Sequence, residues 1–490
     1  MKKNYYLLFL ISLTSLAQTQ IGSNINGEAA NDYCGRSVSL SSDGSIVAIG
    51  AAQNNGNGTD DAGHVRVYQN VSGVWTQIGS DINGEADVDL SGVCVSLSSD
   101  GSIVAIGANA NDGNGNLSGH VRVYQNVSSV WTQIGSDING EAAYDQSGES
   151  VSLSSDGSIL AIGARYNAGN GTDSGHVRVY KNISGVWTQI GADINGEAAG
   201  DYSGYSVSLS SDGSIVAIGA YQNDGNGSNS GHVRVYQNVS GVWTKIGADI
   251  NGEAANDNSG RSVSLSSDGS IVAIGARLND GNGTDSGHVR VYRNISGVWT
   301  QIGADINGEA ANDYSGHSVS LSSDGSIVAI GAYQNDGNGS DSGHVRVYQN
   351  ISGVWTKIGS DINGEAAGDY CGYGISLSSN GSILAAGSNY SDGNGTNSGQ
   401  VRIFNLTTVL ASDTFVQTNF SIYPNPSNGI VNIALENNLQ IEKVSIYNQL
   451  GQLVKTATTT IINATELAKG TYYVEVVTNQ GKATKKIIVK

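Results

Sequence analysis

Six tryptophans stand 56 residues apart, at Trp75, Trp131, Trp187, Trp243, Trp299 and Trp355. Each lies in a near copy of one segment, and that segment occurs seven times. A period of this length, made of short strand-like pieces, belongs to repeat architectures in which each unit buries its apolar face only against its neighbours. The chain must therefore fold as an array.

The fifth copy reads as four strands. In GRSVSLSS at 260–267, Val263 and Leu265 alternate with serines. Asp268-Gly269 reads as a two-residue hairpin turn. SIVAIGA at 270–276 is the second strand, and a polar loop fills 277–287. HVRVYR at 288–293 is the third strand, and VWTQIGA at 298–304 is the fourth. Residues 305–316 lead to the next copy. A four-stranded antiparallel sheet repeated in this way is a propeller blade.

The last copy stops at VRIF, 401–404, without a fourth strand, while TQIG at 19–22 is a fourth strand with no blade of its own. A ring explains both, because the N-terminal strand completes the last blade and leaves no sheet edge open. An open solenoid would need polar caps at both ends, which the sequence lacks. The expected fold is all-β: a seven-bladed β-propeller at 18–404 and, after a linker at 405–419, a small C-terminal β-sandwich at 420–490. The indoles are expected to pack between blades. The fourth-strand copy without one, where Gln18 stands, marks the closure.

Gly is abundant at 68 residues, Pro scarce at 2, and only 14% of residues are charged. That composition suits many tight turns. Disorder is excluded because the apolar alternation returns in register in every copy. Net charge is −19. Setting aside the seven Lys and four Glu from Phe420 onward, and Lys2 and Lys3, leaves 15 basic and 39 acidic residues, a repeat region of about −24. Such a field opposes nucleic acid and anionic membrane and tolerates cations or neutral ligands such as sugars. Solubility is the plain reading of the same charge.

Residues 1–17 read as a signal peptide: Lys2 and Lys3, an apolar run at 7–16, and Ser15-Leu16-Ala17 as the cleavage site. The mature chain is then expected to begin at Gln18. Of three cysteines, Cys34 and Cys371 share one slot in copies one and seven, which a ring makes neighbours. They either form a disulfide across the closure or remain two free thiols. Cys94 replaces a serine of the repeat and reads as buried.

From Phe420 a new pattern begins: Tyr423-Pro424-Asn425-Pro426 with Gly429, VSIYN at 444–448, Gly451 in GQLV, LAKGTYYV at 467–474 with Gly470, and a basic ending. Strands are expected at 430–435, 443–448, 452–456, 471–478 and 484–489. This tail resembles the type A C-terminal sorting domain of the type IX secretion system of Bacteroidetes. The resemblance implies passage across the outer membrane directed by the tail, which is then removed, the cargo being released or held at the surface. The repeats resemble bacterial FG-GAP-type repeats, related to integrin α-subunit propellers. Gly204 to Gly213, GYSVSLSSDG, is followed by IVAIGA at 215–220, GHVRVY at 231–236 and Trp243. Ser203 stands where that family has Phe, and its calcium loop is replaced by a turn too short to supply six oxygens. Integrin-type calcium sites are not expected here.

Two other loops offer oxygens. Asp305, Asn307, Glu309 and Asp313 are spaced like the start of an EF-hand but lack its Gly and Glu positions. Residues 279–285, NDGNGTD, are the second. Both also read as Asx turns, so no cofactor is expected and calcium is the alternative. Catalysis is not expected. Glu28 and its six counterparts, and the Arg and His of HVRV, recur by symmetry, whereas catalysis needs one distinct constellation. His317 alone departs from the pattern, and a lone His is more often a contact than a base.

Differences between the copies concentrate at one end of the sheets. The slot before the first strand holds Arg36, Val93, Glu149, Tyr205, Arg261, His317 and Tyr373. The slot after the second strand holds Ala52, Asn109, Arg165, Tyr221, Arg277, Tyr333 and Asn389. Antiparallel parity places both on one face, around the mouth of the axial channel. Tyr, Arg and His are recognition residues, and drift at unconstrained loop positions is the bland reading. The functional expectation is a secreted or surface-attached binding or adhesion propeller, monomeric, exported by the type IX machinery, with a glycan or surface protein as ligand and no nucleic acid or membrane insertion. A structural surface or matrix component is the alternative, and a secreted carbohydrate-active hydrolase is a further one.

Overall fold

The computed structural model describes residues 18–58, 60–407, 420–435, 439–448, 452–478 and 481–490. The expected signal peptide with Ala17, linker residues 408–419 and Gly451 lie outside the described residues. Thr19–Leu406 forms one compact unit, and the residues from Thr407 onward belong to another.

The first unit contains seven antiparallel sheets. Blade 1 comprises Ser37–Leu40, Ile46–Ala51, His64–Val71 and Val74–Gln77, paired in that order. Blades 2 to 6 repeat it, starting at Cys94, Ser150, Ser206, Ser259 and Ser318. The seventh sheet takes Cys371–Leu377, Ile383–Ser388 and Gln400–Asn405 from the last copy and Thr19–Gln20 from the start of the chain. Thr19 lies opposite Asn405 and Gln20 opposite Phe404.

Backbone hydrogen bonds close the ring. The amide of Ser42 donates to the carbonyl of Ser99, and the same step links Ser99, Ser155, Ser211, Ser267, Ser323, Ser379 and, at 2.8 Å, Ser42 again. Serine hydroxyls add a second tier: Ser39 Oγ accepts from the Leu97 amide, and Ser376 Oγ accepts from Leu40 across the closure. Serine suits the innermost strand because seven strands crowd the axis and a small hydroxyl can satisfy the neighbouring amide. The apolar cores lie between blades. Val65, Val67 and Ile82 of blade 1 pack on Val95, Leu97 and Ile106 of blade 2.

Repeated polar residues stitch the same seams. The indole Nε1 of Trp243 donates to the Ile190 carbonyl of the preceding blade at 2.7 Å, and the other five indoles do likewise. The guanidinium of Arg234 donates to the Asn195 carbonyl at 2.7 Å. Five counterparts, from Arg66 to Arg402, make the same bond, whereas Arg346 turns to Glu309 and Asp361.

Three expectations are corrected. The Asp-Gly pair is not a two-residue turn: the Ser266 carbonyl accepts from the Gly269 amide and the Ser266 amide donates to Ile271, so four residues separate the paired positions. Asp268 holds that loop by accepting from Ser266 Oγ and the Ser270 amide. The segment after the outer strand is not all loop. Ile306–Asn307 returns to pair with the third strand, opposite Val289 and His288. Finally, Cys34 and Cys371 are free thiols, not a disulfide. Each sits at its own seam beside its own arginine, Cys34 Sγ at 3.8 Å from Arg66 and Cys371 Sγ at 3.5 Å from Arg402, so the two side chains serve equivalent places one blade apart. Burial pushes the Cys34 thiol up to about 11, which keeps it protonated and unreactive.

The C-terminal unit is a two-sheet sandwich. One sheet orders Phe420–Tyr423, Ile430–Leu435 and Ile461–Asn463; the other orders Leu453–Ala457, Ile441–Tyr447, Gly470–Thr478 and Gly481–Val489. Phe420, Val431, Ile446, Val474 and Ile487 form its core. The strands at Phe420 and Ile461 are additions to the sequence reading. The Tyr423-to-Gly429 segment clasps the last strand: Asn425 Oδ1 accepts from the Ile488 amide at 3.0 Å, and Asn425 Nδ2 donates to the Lys486 carbonyl at 2.9 Å. Tyr423 is exposed, Pro424 and Pro426 flank Asn425, and the Gly429 carbonyl accepts from the Ala464 amide.

Candidate ligand site at the channel mouth

Register places the two variable slots at one end of each sheet. Ser37 lies opposite Gly50 and Ala51 opposite His64, so Arg36 and Ala52 emerge together. The first slot converges on the axis. Arg36, Val93, Glu149, Tyr205, Arg261, His317 and Tyr373 all line a single open cavity of about 240 Å³, with the serines and valines that follow them.

The second slot forms an outer tier. Tyr221 stands edge-on to Tyr205 at 4.7 Å, and Tyr333 lies 4.4 Å from the ring of His317. Arg165 reaches Glu149 at 3.6 Å, and Asn109 donates to the same carboxylate at 2.6 Å. Arg277 lies 6.0 Å from the Tyr314 ring. Ala52 and Asn389 are buried.

A third variable slot escaped the sequence reading. Three residues before the first slot stand Tyr33, Leu90, Gln146, Tyr202, Asn258, Tyr314 and Tyr370. All but Asn258 and Gln146 are aromatic or apolar, and each has positive φ, 51° to 55° at the four tyrosines. Tyr202 stacks on Tyr221, Tyr314 stacks on Tyr333, and Gln146 accepts from Arg165. The same comparison of copies exposes this slot, since it varies as the other two do. Left-handed backbone at non-glycine positions is tolerated where surrounding structure holds it, and such positions gather at functional sites.

The charge at the mouth opposes that of the molecule. Arg36, Arg165, Arg261 and Arg277 face one acid, Glu149, within a repeat region of about −24. Of these four arginines, only Arg165 meets a carboxylate within 4.0 Å among the described residues. Arg261 lies over the Tyr205 ring at 4.0 Å and Arg36 near that of Tyr373 at 5.9 Å, within reach of cation–π attraction. Burial, with Arg261, Arg277 and Arg36, holds His317 well below the usual imidazole range, so the ring is neutral. Its Nδ1 has no hydrogen-bond partner among the described residues. His317 thus contacts Tyr333 and Tyr373, both within 4.6 Å. The local field disfavours cations, which the overall charge tolerates, and is indifferent to neutral ligands such as sugars.

The opposite mouth is uniform. A cavity of about 160 Å³ there is lined by leucines and serines of all seven copies.

Two other groups of oxygens could hold a cation. In the loops at 279–285 and 305–313 the oxygens serve the chain itself. Asn279 Oδ1 accepts from Gly281, Asp280 Oδ1 from Asp285, and Asp313 Oδ2 from Ala310 and Asn335. At the seams, Glu, His and Asp form trios such as Glu253, His288 and Asp305, whose ligand atoms lie within 4.8 Å of one another. These could take a divalent metal through one nitrogen and two oxygens, although Arg290 sits 3.6 Å from Glu253 and competes for it. In blade 7 the trio becomes Glu365, Gln400 and Asn24, joined by hydrogen bonds of 2.8 to 2.9 Å.

Seven sheets closed by backbone hydrogen bonds, with apolar cores between them, define a β-propeller with one asymmetric mouth. Residues 139–180, 195–236, 248–292 and 307–348 match the family described as FG-GAP repeat, and residues 421–490 match the secretion system C-terminal sorting domain. The chain thus carries FG-GAP repeats and a type IX sorting tail, a tail that indicates export to the cell surface or beyond. No curated protein matches it. Similar solved structures include hydrazine synthase of Kuenenia stuttgartiensis, 12% identical with a TM-score of 0.47, covering 75% of this chain and 94% of that one. A protein assigned as a 6-phosphogluconolactonase from Bacteroides uniformis is also 12% identical with a TM-score of 0.47, covering 84% and 94%. With both scores under 0.5, the propeller assignment rests on the sheets and their closed hydrogen-bond ring.

Proposed function

We propose that this is a binding or adhesion module, released or held at the cell surface, whose ligand seats in the asymmetric mouth of the propeller. One observation carries the reading: the copies are near-identical at every seam and differ where their side chains converge on one cavity. Scaffold residues repeat because each must satisfy the same neighbour, whereas a site for one ligand must break the symmetry. The sorting tail supports a place outside the cell, where such a module would meet its ligand.

Turnover is not part of the proposal. Hydrolysis of a glycoside calls for two carboxyl groups at a set separation. The cavity lining holds one, Glu149, already engaged by Arg165 and Asn109. A monomer without a bound cofactor is the simplest form consistent with this reading.

The test is binding of the mature protein to glycan arrays and whole cells. Replacing Tyr205, Tyr333 and Arg277 together is expected to abolish it while the melting midpoint stays near the parent's. Absence of binding in every format would favour the structural matrix alternative.

A further inference from the structure

We propose that the mouth recognises an acidic sugar, with the carboxylate of a single hexuronate residue seated between the guanidiniums of Arg36 and Arg261. This rests on the mouth being the ligand site and names the class of ligand it takes.

Three observations point the same way. First, Arg36 and Arg261 line one narrow cavity, and neither has a carboxylate partner within 4.0 Å among the described residues. Two half-buried guanidiniums in one cavity lining suit an anion, and planar forks match a carboxylate bidentately. The one acid of the lining, Glu149, is taken by Arg165, so an incoming anion meets no free carboxylate. Second, the rest of the lining suits a hydroxylated ring. Tyr373 offers a ring beside Tyr205, whose own face Arg261 already covers, and His317 Nδ1 lacks a partner among the described residues on a residue only 7% exposed.

Third, serine hydroxyls of five blades line the same cavity. Ser37, Ser150, Ser206, Ser262 and Ser318 each donate Oγ–H to a glycine carbonyl of the next blade, at 2.7 to 2.8 Å. Their protons are thereby committed, and their remaining lone pairs can only accept. Acceptors and cations in one lining suit a ligand that carries both donors and an anion. Sugar hydroxyls and a uronate carboxylate supply both on one ring. At about 240 Å³ the cavity falls below the range for drug-sized ligands, which fits one terminal or branch residue.

The mature protein is titrated with a trisaccharide ending in glucuronate, the matched trisaccharide ending in glucose, and an acidic peptide. The glucuronate ligand is expected to bind and weaken as salt rises, while the other two do not bind. Arg36→Val and Arg261→Val are each expected to weaken binding about 30-fold or more. Valine is the residue blade 2 carries at this slot, as Val93, so both variants should keep the parent's melting midpoint. Equal binding of both trisaccharides, or binding unchanged by either substitution, overturns the acidic-sugar assignment and leaves the mouth as a binding site. Preference for the peptide overturns it equally. If no probe binds, and whole-cell binding survives loss of Tyr205, the mouth itself is not the site and both readings fall.

Discussion

His288 and its counterparts are the residues through which pH reaches the fold. Burial, then the neighbouring arginine, pushes His64, His120, His176, His232 and His288 down to about 4. They are neutral at pH 7, so their contacts with Glu at 3.7 to 3.9 Å are not ion pairs there. In the unfolded chain each titrates near 6.5. Between about pH 6.5 and 4 the unfolded state therefore binds protons that the folded state refuses, and stability falls as pH falls through that window. Each histidine contributes up to about 3 kcal/mol to the loss. Gln400 fills this slot in blade 7 and hydrogen-bonds Glu365. His288→Gln is accordingly expected to hold the pH 7 melting midpoint within a few degrees and to shrink the drop between pH 7 and 4.5. An unchanged drop would refute the assignment. The Asp-Gly turns add a later step: although burial raises it, hydrogen bonds from Ser214 and Ser210 hold Asp212 below the usual carboxylate range, so its contribution is lost only on further acidification. At the same scale the lining of the mouth was legible in part. Tyr205 and Arg261 stood out because the copies differ there, but the neutrality of His317 depends on arginines of other blades, and Glu149 is held by Arg165 of its own blade and Asn109 of the preceding one.

At the scale of the strand, two glycines of blade 4 separate packing from conformation. Gly219, in the second strand, would place a Cβ 2.0 Å from the Gly260 carbonyl oxygen of the next blade. Gly241, at the tip of the outer hairpin, has φ +87° and nothing within 4 Å of its Cβ position. Gly219→Ala is expected to cost about 3 kcal/mol or more, because backbone meets backbone and neither can yield. Gly241→Ala is expected to cost about 1 kcal/mol, the left-handed conformation alone. Denaturant midpoints compare the two, and equal losses would argue against close blade contact. Trp243→Phe removes the bond to Ile190 and part of the ring packed on the core between blades 3 and 4, and is expected to cost about 2 kcal/mol. The strands themselves were readable from period-two alternation. The return strand Ile306–Asn307 was not: two residues carry no periodicity, and Gly303 at φ +72° bends the chain back only where a third strand waits.

For the whole molecule, closure is the central physical fact. A chain lacking residues 18–26 would leave Gln400–Asn405 as an open edge, and it is expected to aggregate or elute as higher oligomers on size exclusion. Deleting residues 420–490 is expected to hold the propeller in the periplasm, as fractionation would show; normal export would count against the sorting role of the tail. Chelation with EDTA is expected to leave the melting midpoint in place, since the loop oxygens already hold backbone amides. A fall of several degrees would instead point to metal in the loops or in the Glu–His–Asp trios.

By itself the sequence determined the array. A 56-residue period, its alternation and the displaced fourth strand leave few ways to satisfy seven sheets other than a ring. It also determined where the copies differ. Only the tertiary structure decided what those differences amount to. Residues tens to hundreds of positions apart, Arg36, Tyr205, Arg261 and Tyr373 among them, reach one cavity because the blades place the same slot at the same radius. Sequence adds charges along the chain and yields an acidic protein. Space adds them at a point, and there the guanidiniums outnumber the single carboxylate.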